Sequence, residues 1–140
     1  MTSPLIRIQD LTLSYNGTPA LKGISLGIPE REITAFIGPS GCGKSTLLRC
    51  LNRLNDLIDG VSLQGRIAIG DLDIYGPEVD VTLLRKRIGM VFQKSNPFPK
   101  SIFENVVYGC RVAGVARRAE LEAVAERSLR GDASSRTRKA

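Results

Sequence analysis

The chain has no histidine among its 140 residues. That absence excludes a histidine-based nucleophilic triad and histidine-ligated zinc. Cysteine is scarce too. Cys42, Cys50 and Cys110 form no C-x-x-C pair and are odd in number, so reduced thiols fit better than a disulfide framework. No apolar run approaches the length that spans a bilayer. The opening Met1-Thr2-Ser3-Pro4-Leu5-Ile6-Arg7 lacks the basic patch and apolar stretch of a secretory signal. These absences predict a cytoplasmic protein. A basic folded face is also missing, although the net charge is +6. Residues 1–126 hold fifteen Lys and Arg against thirteen Asp and Glu, a balance of +2. The last fourteen residues hold Arg127, Arg130, Arg136, Arg138 and Lys139 against Asp132, a balance of +4. The excess reads as a solvated tail rather than a nucleic-acid arm.

What is present is a run of short patterned segments. Ile6–Tyr15 alternates loosely between apolar and polar residues, as a half-buried strand does. Asn16-Gly17 is a hairpin signal, and a second strand is predicted from Leu21 to Ile28 with Ile24, Leu26 and Ile28 on one face. Ile33-Thr34-Ala35-Phe36-Ile37 is nearly continuous apolar sequence, the pattern of a strand buried on both faces. Leu47, Leu48, Leu51 and Leu54 then fall at helical spacing. Further along, the sequence predicts a strand at Arg66–Ile69 and a helix at Val81–Arg87 capped by Asp80. A buried strand is predicted at Ile88–Phe92. Ser101-x-x-Glu104 is a capping box opening a helix to about Tyr108, and Arg118–Leu129 reads as a weaker helix. Residues 131–140 have no apolar period and are expected to be a disordered basic tail.

The sharpest signal is the loop Gly38-Pro39-Ser40-Gly41-Cys42-Gly43-Lys44-Ser45-Thr46, which satisfies G-x-x-x-x-G-K-[ST]. A chain that wraps phosphate with inward amide N–H groups has no room for side chains at the three glycines. A helix starting near Lys44 would turn its unpaired amides and dipole toward the anion. Lys44 supplies a compact positive charge for the outer phosphates. The Ser45 hydroxyl suits Mg²⁺, a hard ion that keeps several waters. The predicted order of buried strand, glycine-rich turn and amphipathic helix is the context this chemistry needs. Cys42, close to a helix start, is either a reactive thiol or a residue that lends only its backbone N–H.

From Tyr15 to about Leu129 the sequence resembles the ATP-binding subunits of ABC transporters, and within them the branch serving bacterial phosphate import. The residues that carry the resemblance are Thr34 to Arg49 and the block Ile88-Gly89-Met90-Val91-Phe92-Gln93-Lys94-Ser95-Asn96-Pro97-Phe98-Pro99-Lys100-Ser101-Ile102-Phe103-Glu104-Asn105-Val106. The second block is the more discriminating, although Ser95 stands where that branch usually has proline. The resemblance implies an α/β fold, a P-loop NTPase core of ABC ATPase type behind an N-terminal antiparallel β layer, truncated before the second half of the domain. Residues 1–130 would be the N-terminal part of a nucleotide-binding domain. It further implies MgATP as the ligand, with Tyr15 stacking on adenine; a strand-end tyrosine can also be a half-buried packing residue. Gln93 would be the Q-loop glutamine that reaches Mg²⁺ and the attacking water. The implied partners are transmembrane permease subunits and a second ATP-binding subunit at the cytoplasmic face of the plasma membrane, with no nucleic acid.

The family's Leu-Ser-Gly-Gly-Gln signature, its Asp-Glu strand end and its switch histidine do not occur in these 140 residues. Ile67-Ala68-Ile69-Gly70-Asp71 is a decoy for the second, since its apolar run is interrupted and no Glu follows. The expectation is a truncated product, its tail read in a shifted frame, with ATPase activity near background. Without neighbours for the strands at Ile33 and Ile88, marginal stability or aggregation is expected. Three rival readings remain: an importer ATPase for another solute, a non-transport P-loop protein acting on nucleic acid, and a fragment that only binds nucleotide or a partner subunit.

Overall fold

The alternating stretch at the start becomes strand β1 (Ile6–Tyr15) and pairs antiparallel with β2 (Thr18–Ile28). Asn16 and Gly17 make the turn with φ of 46° and 80°, the double positive φ of a two-residue hairpin whose twist suits the strands. The computed structural model describes residues 4–136, with side chains as far as Gly131. On its other edge β1 pairs antiparallel with β3 (Val61–Ile69), which pairs with the short β4 (Leu72–Asp73), giving the order β2-β1-β3-β4. β3 begins five residues before the predicted Arg66. Its register with β1 shifts between Gln9 and Thr12. There Gly65, at φ 99°, comes so close to the Asp10 carbonyl that a Cβ would lie 2.5 Å from that oxygen.

The chain divides after Met90 into two compact units. In the first, Ile8, Leu11, Leu13, Leu21, Ile67 and Ile74 form one core with Leu47, Cys50 and Leu51 of helix α1 (Lys44–Leu51) and Leu84 of helix α2 (Val81–Arg87). Full burial of side chains such as Leu11, Leu13, Ile67 and Ile74 contributes roughly 1.5–3 kcal/mol each. α2 has the predicted boundaries. The Asp80 carboxylate accepts from the N–H groups of Thr82 at 2.8 Å and Leu83 at 3.1 Å. In the second unit, helices α3 (Ile102–Val112) and α4 (Arg118–Arg136) pack through Val107, Leu121 and Ala125. Ser101 caps α3 by accepting from Glu104 N–H at 3.1 Å. The Glu104 carboxylate turns to Arg111 at 3.0 Å. The backbone of α4 reaches Arg136, and residues 137–140 of the expected tail lie outside the described ones.

Two expectations are corrected. Neither 33–37 nor 88–92 is a strand. Ile33 and Ile37 are almost fully exposed, as is Val91, and Phe92 is half exposed. A parallel strand is held by neighbours that satisfy its backbone and cover both faces. Among the described residues the sheet is wholly antiparallel and none of its strands pairs with either segment. No helix among the described residues is long and apolar enough to cross a membrane.

Candidate functional site

The loop Gly38–Thr46 runs directly into α1, whose first residue is Lys44 as the sequence predicts. Gly43 is the N-cap, at φ 94° and ψ 4°, and gives α1 no side-chain cap. The leading amides of the helix therefore have no side-chain acceptor and face outward with the positive end of the helix dipole. Glycine is required at this cap for two reasons. The left-handed backbone disfavours any Cβ, and a Cβ would lie 2.8 Å from Leu21 Cδ2 and 2.9 Å from the Ala20 carbonyl oxygen on β2. The close approach of β2 thus fixes where the helix starts. Behind the cap, Leu47 and Leu51 sink into the core and anchor the rest of α1.

Lys44 folds back over the loop it follows. Its Nζ donates to the carbonyls of Gly38 and Pro39, each at 2.7 Å, and to Cys42 Sγ at 3.4 Å. Among the described residues the ammonium is held by neutral acceptors alone, and no Asp or Glu occurs between Ile33 and Asn55. Its charge is therefore available to an anion. Ser45 is exposed and Thr46 half-buried, while Cys42 is exposed. The donors match a polyphosphate: helix-start amides, one lysine and hydroxyls, with no competing carboxylate. The exposed Ser45 hydroxyl also suits Mg²⁺, which takes few protein ligands and completes its shell with phosphate oxygens and water. Among the described residues no group of three or more His, Cys, Asp or Glu gathers that could hold a metal by itself.

Tyr15, at the end of β1, is brought to the same helix. Its hydroxyl donates to Asn55 Oδ1 at 3.1 Å and lies 3.5 Å from Thr46 Oγ1. Tyr15, Gly38–Thr46 and the lysine thus belong to one unit. Gln93 belongs to the second unit and lies in exposed, irregular chain. Asn55 joins this site without a sequence signal. It is fully buried, in the 3₁₀ turn Leu54–Leu57 that follows α1. In the sequence it is one polar residue among Leu51, Leu54 and Leu57, and nothing distinguishes it from an exposed neighbour. Arg53 holds that turn in place from a left-handed backbone, φ 58°. Its guanidinium pairs with Asp56 at 2.8 Å and lies 5.0 Å from the centre of the Tyr75 ring. The Arg85 guanidinium donates to the Arg53 carbonyl at 2.7 Å.

Comparison with known proteins shows the family. A family model described as ABC transporter matches residues 21–138. The phosphate import ATP-binding protein PstB of Shewanella denitrificans is 56% identical over 128 residues, which is 91% of this chain and 47% of that protein. The phosphate import ATP-binding protein PstB 1 of Vibrio cholerae serotype O1 matches with the same identity and coverage. Among solved structures, cbiO1 from Clostridium perfringens, part of the ABC transporter complex cbiONQ, superposes with a TM-score of 0.69 at 32% identity. That match covers 87% of this chain and 47% of the other. The chain spans about half the length of the curated relatives it matches.

Proposed function

The chain belongs to the ABC transporter family, and on that premise we propose that it binds MgATP as the energy-coupling part of an importer for inorganic phosphate. One observation carries the proposal: Lys44 is folded over the Gly38 and Pro39 carbonyls at the start of α1, which has no side-chain cap, and no ion pair holds it among the described residues. The choice of phosphate as the transported solute rests on the relatives named as phosphate import ATP-binding proteins.

The roles follow from the chemistry of each group. The amides of the Gly38–Thr46 loop and Lys44 Nζ receive the phosphates, and Ser45 Oγ offers an oxygen to Mg²⁺. Gln93 keeps the proposed role of a Mg²⁺-reaching group on the strength of the Ile88–Val106 sequence block alone. Tyr15 presents its ring to adenine. Magnesium held at Ser45 Oγ would supply charge neutralisation to the outer phosphates. The partners are transmembrane permease subunits and a second ATP-binding subunit at the cytoplasmic face of the membrane. These 140 residues carry neither an Asp-Glu strand end nor a histidine to orient water. They bind nucleotide and turn it over at near-background rates.

Titration with fluorescent ATP tests the reading. The chain is expected to bind with saturation, and Lys44→Ala to weaken that binding by at least about tenfold, the loss of one charge-assisted contact. Equal, weak uptake by both proteins overturns it. Robust hydrolysis by the purified chain overturns the second part.

A further inference from the structure

We infer that Asn55 is a positioning residue for base recognition, locking the Tyr15 ring to the first turn of the phosphate-loop helix. The inference rests on the reading of Tyr15 as the platform for adenine. It adds a residue that touches neither base nor phosphate.

The geometry is that of a three-way buried bracket. Asn55 Oδ1 accepts from the Tyr15 hydroxyl at 3.1 Å. Its Nδ2 donates to the Thr46 carbonyl at 3.0 Å and to Cys50 Sγ at 3.1 Å. One side chain therefore joins the end of β1 to residues one turn apart on α1. The amide orientation is not interchangeable. The Thr46 carbonyl only accepts, so the NH₂ group must face it, and the oxygen is left for the tyrosine hydroxyl. Asn55 is fully buried, so water cannot replace a lost partner without opening the core. The turn around it is itself fixed, by the Arg53–Asp56 pair and by Arg85 on the Arg53 carbonyl.

The consequence is a division of labour. Phosphate contacts depend on the loop N–H groups and Lys44 Nζ, none of which bonds to Asn55; its one tie to the loop is through the Thr46 carbonyl. The angle of the Tyr15 ring depends on its hydroxyl, which does bond to Asn55. A half-buried tyrosine without that anchor keeps its packing but gains freedom about its side-chain bonds, and stacking on a base must then reorder it. Loss of the bracket therefore weakens adenine recognition selectively.

The test compares fluorescent ATP with inorganic tripolyphosphate, which offers phosphates without a base, added as a competitor. Asn55→Ala and Tyr15→Phe are each expected to weaken ATP binding about fivefold, the value of one net hydrogen bond. Tripolyphosphate affinity is expected to stay within about twofold. The double variant is expected to be no weaker than either single one, because both remove the same bond. Equal loss of ATP and tripolyphosphate affinity in Asn55→Ala overturns the inference, since Asn55 then supports the loop as a whole. Multiplying effects in the double variant overturn it too. Should Asn55→Ala fail to fold, Tyr15→Phe decides alone: parental ATP affinity in that protein overturns the inference. Tyr15→Ala separates the two levels. If it leaves ATP affinity unchanged, the stacking reading itself fails. If it weakens ATP while Asn55→Ala does not, only the present inference falls.

Discussion

At the scale of single residues, the site combines positions whose chemistry is spelled out by spacing with positions whose chemistry comes from burial. Cys50 is of the second kind. Its thiol is fully buried in the first core, and burial, abetted by the nearby Asp56 carboxylate, pushes its pKa up from 9.0 to about 11. Tyr75, whose hydroxyl donates to the Cys50 carbonyl at 3.0 Å, is raised as well, again chiefly by burial. Between pH 9 and pH 11 the unfolded chain ionises its thiol while the folded chain keeps the proton. The folded state then binds more protons, and stability falls as pH rises. The contribution is fully present below pH 9 and is lost as pH passes through about 11, with Tyr75 extending the decline upward. Urea unfolding across this range is expected to show a steeper loss for the parent than for Cys50→Ala, and parallel curves would refute the assignment. The glycine-rich loop and the start of α1 at Lys44 were legible because local spacing defines them, and the proposed phosphate chemistry is read from the same spacing: glycines for close approach, one lysine, one hydroxyl. Asn55 was not, because one buried asparagine looks like an exposed one until β1 is placed beside α1.

At the scale of elements, legibility followed the range of the interactions that define each element. α2 was readable to its boundaries because Asp80 and the N–H groups it caps are three residues apart or fewer. β1 and the hairpin turn were readable for the same reason. β3 is longer than its sequence suggests because four of its first five residues are recruited by pairing with β1, from Val61↔Tyr15 to Gln64↔Thr12, a partnership about fifty residues distant. The segments 33–37 and 88–92 have the apolar runs of strands without forming them. Apolar runs state a preference for burial, and a strand additionally needs backbone partners on either side. The local rule is itself testable in α2. Asp80→Ala strips two N–H groups of their acceptor in a seven-residue helix. It is expected to lower global stability by about 1 kcal/mol, read as a shift in urea midpoint. Asp80→Ser is expected to recover most of that loss, and failure of the serine to recover it would show that charge rather than capping matters there.

For the whole molecule, the telling quantity is the apolar surface carried by chain with no secondary structure. Ile33 and Val91 are exposed at 101% and 97%, and Ile37 at 95%. Three β-branched residues of this kind, in stretches with a high preference for strands, present both greasy side chains and unpaired amides. The net charge of +6 opposes association, yet only +2 of it lies in residues 1–126, the part that contains these segments. Attraction between like segments of different molecules therefore meets little long-range repulsion at physiological salt, where screening acts within about 8 Å. Light scattering after size exclusion is expected to show mass rising with concentration from about 10 to about 100 μM, the regime in which such surfaces associate. Ile37→Lys combined with Val91→Lys is expected to suppress that rise, because each lysine places a charge in the stretch that must pair. The same pair of changes leaves Tyr15, Lys44 and Asn55 untouched, so fluorescent ATP binding distinguishes disaggregation from unfolding. A concentration-independent monomer for the parent chain would mean that the two apolar stretches find cover within a single molecule.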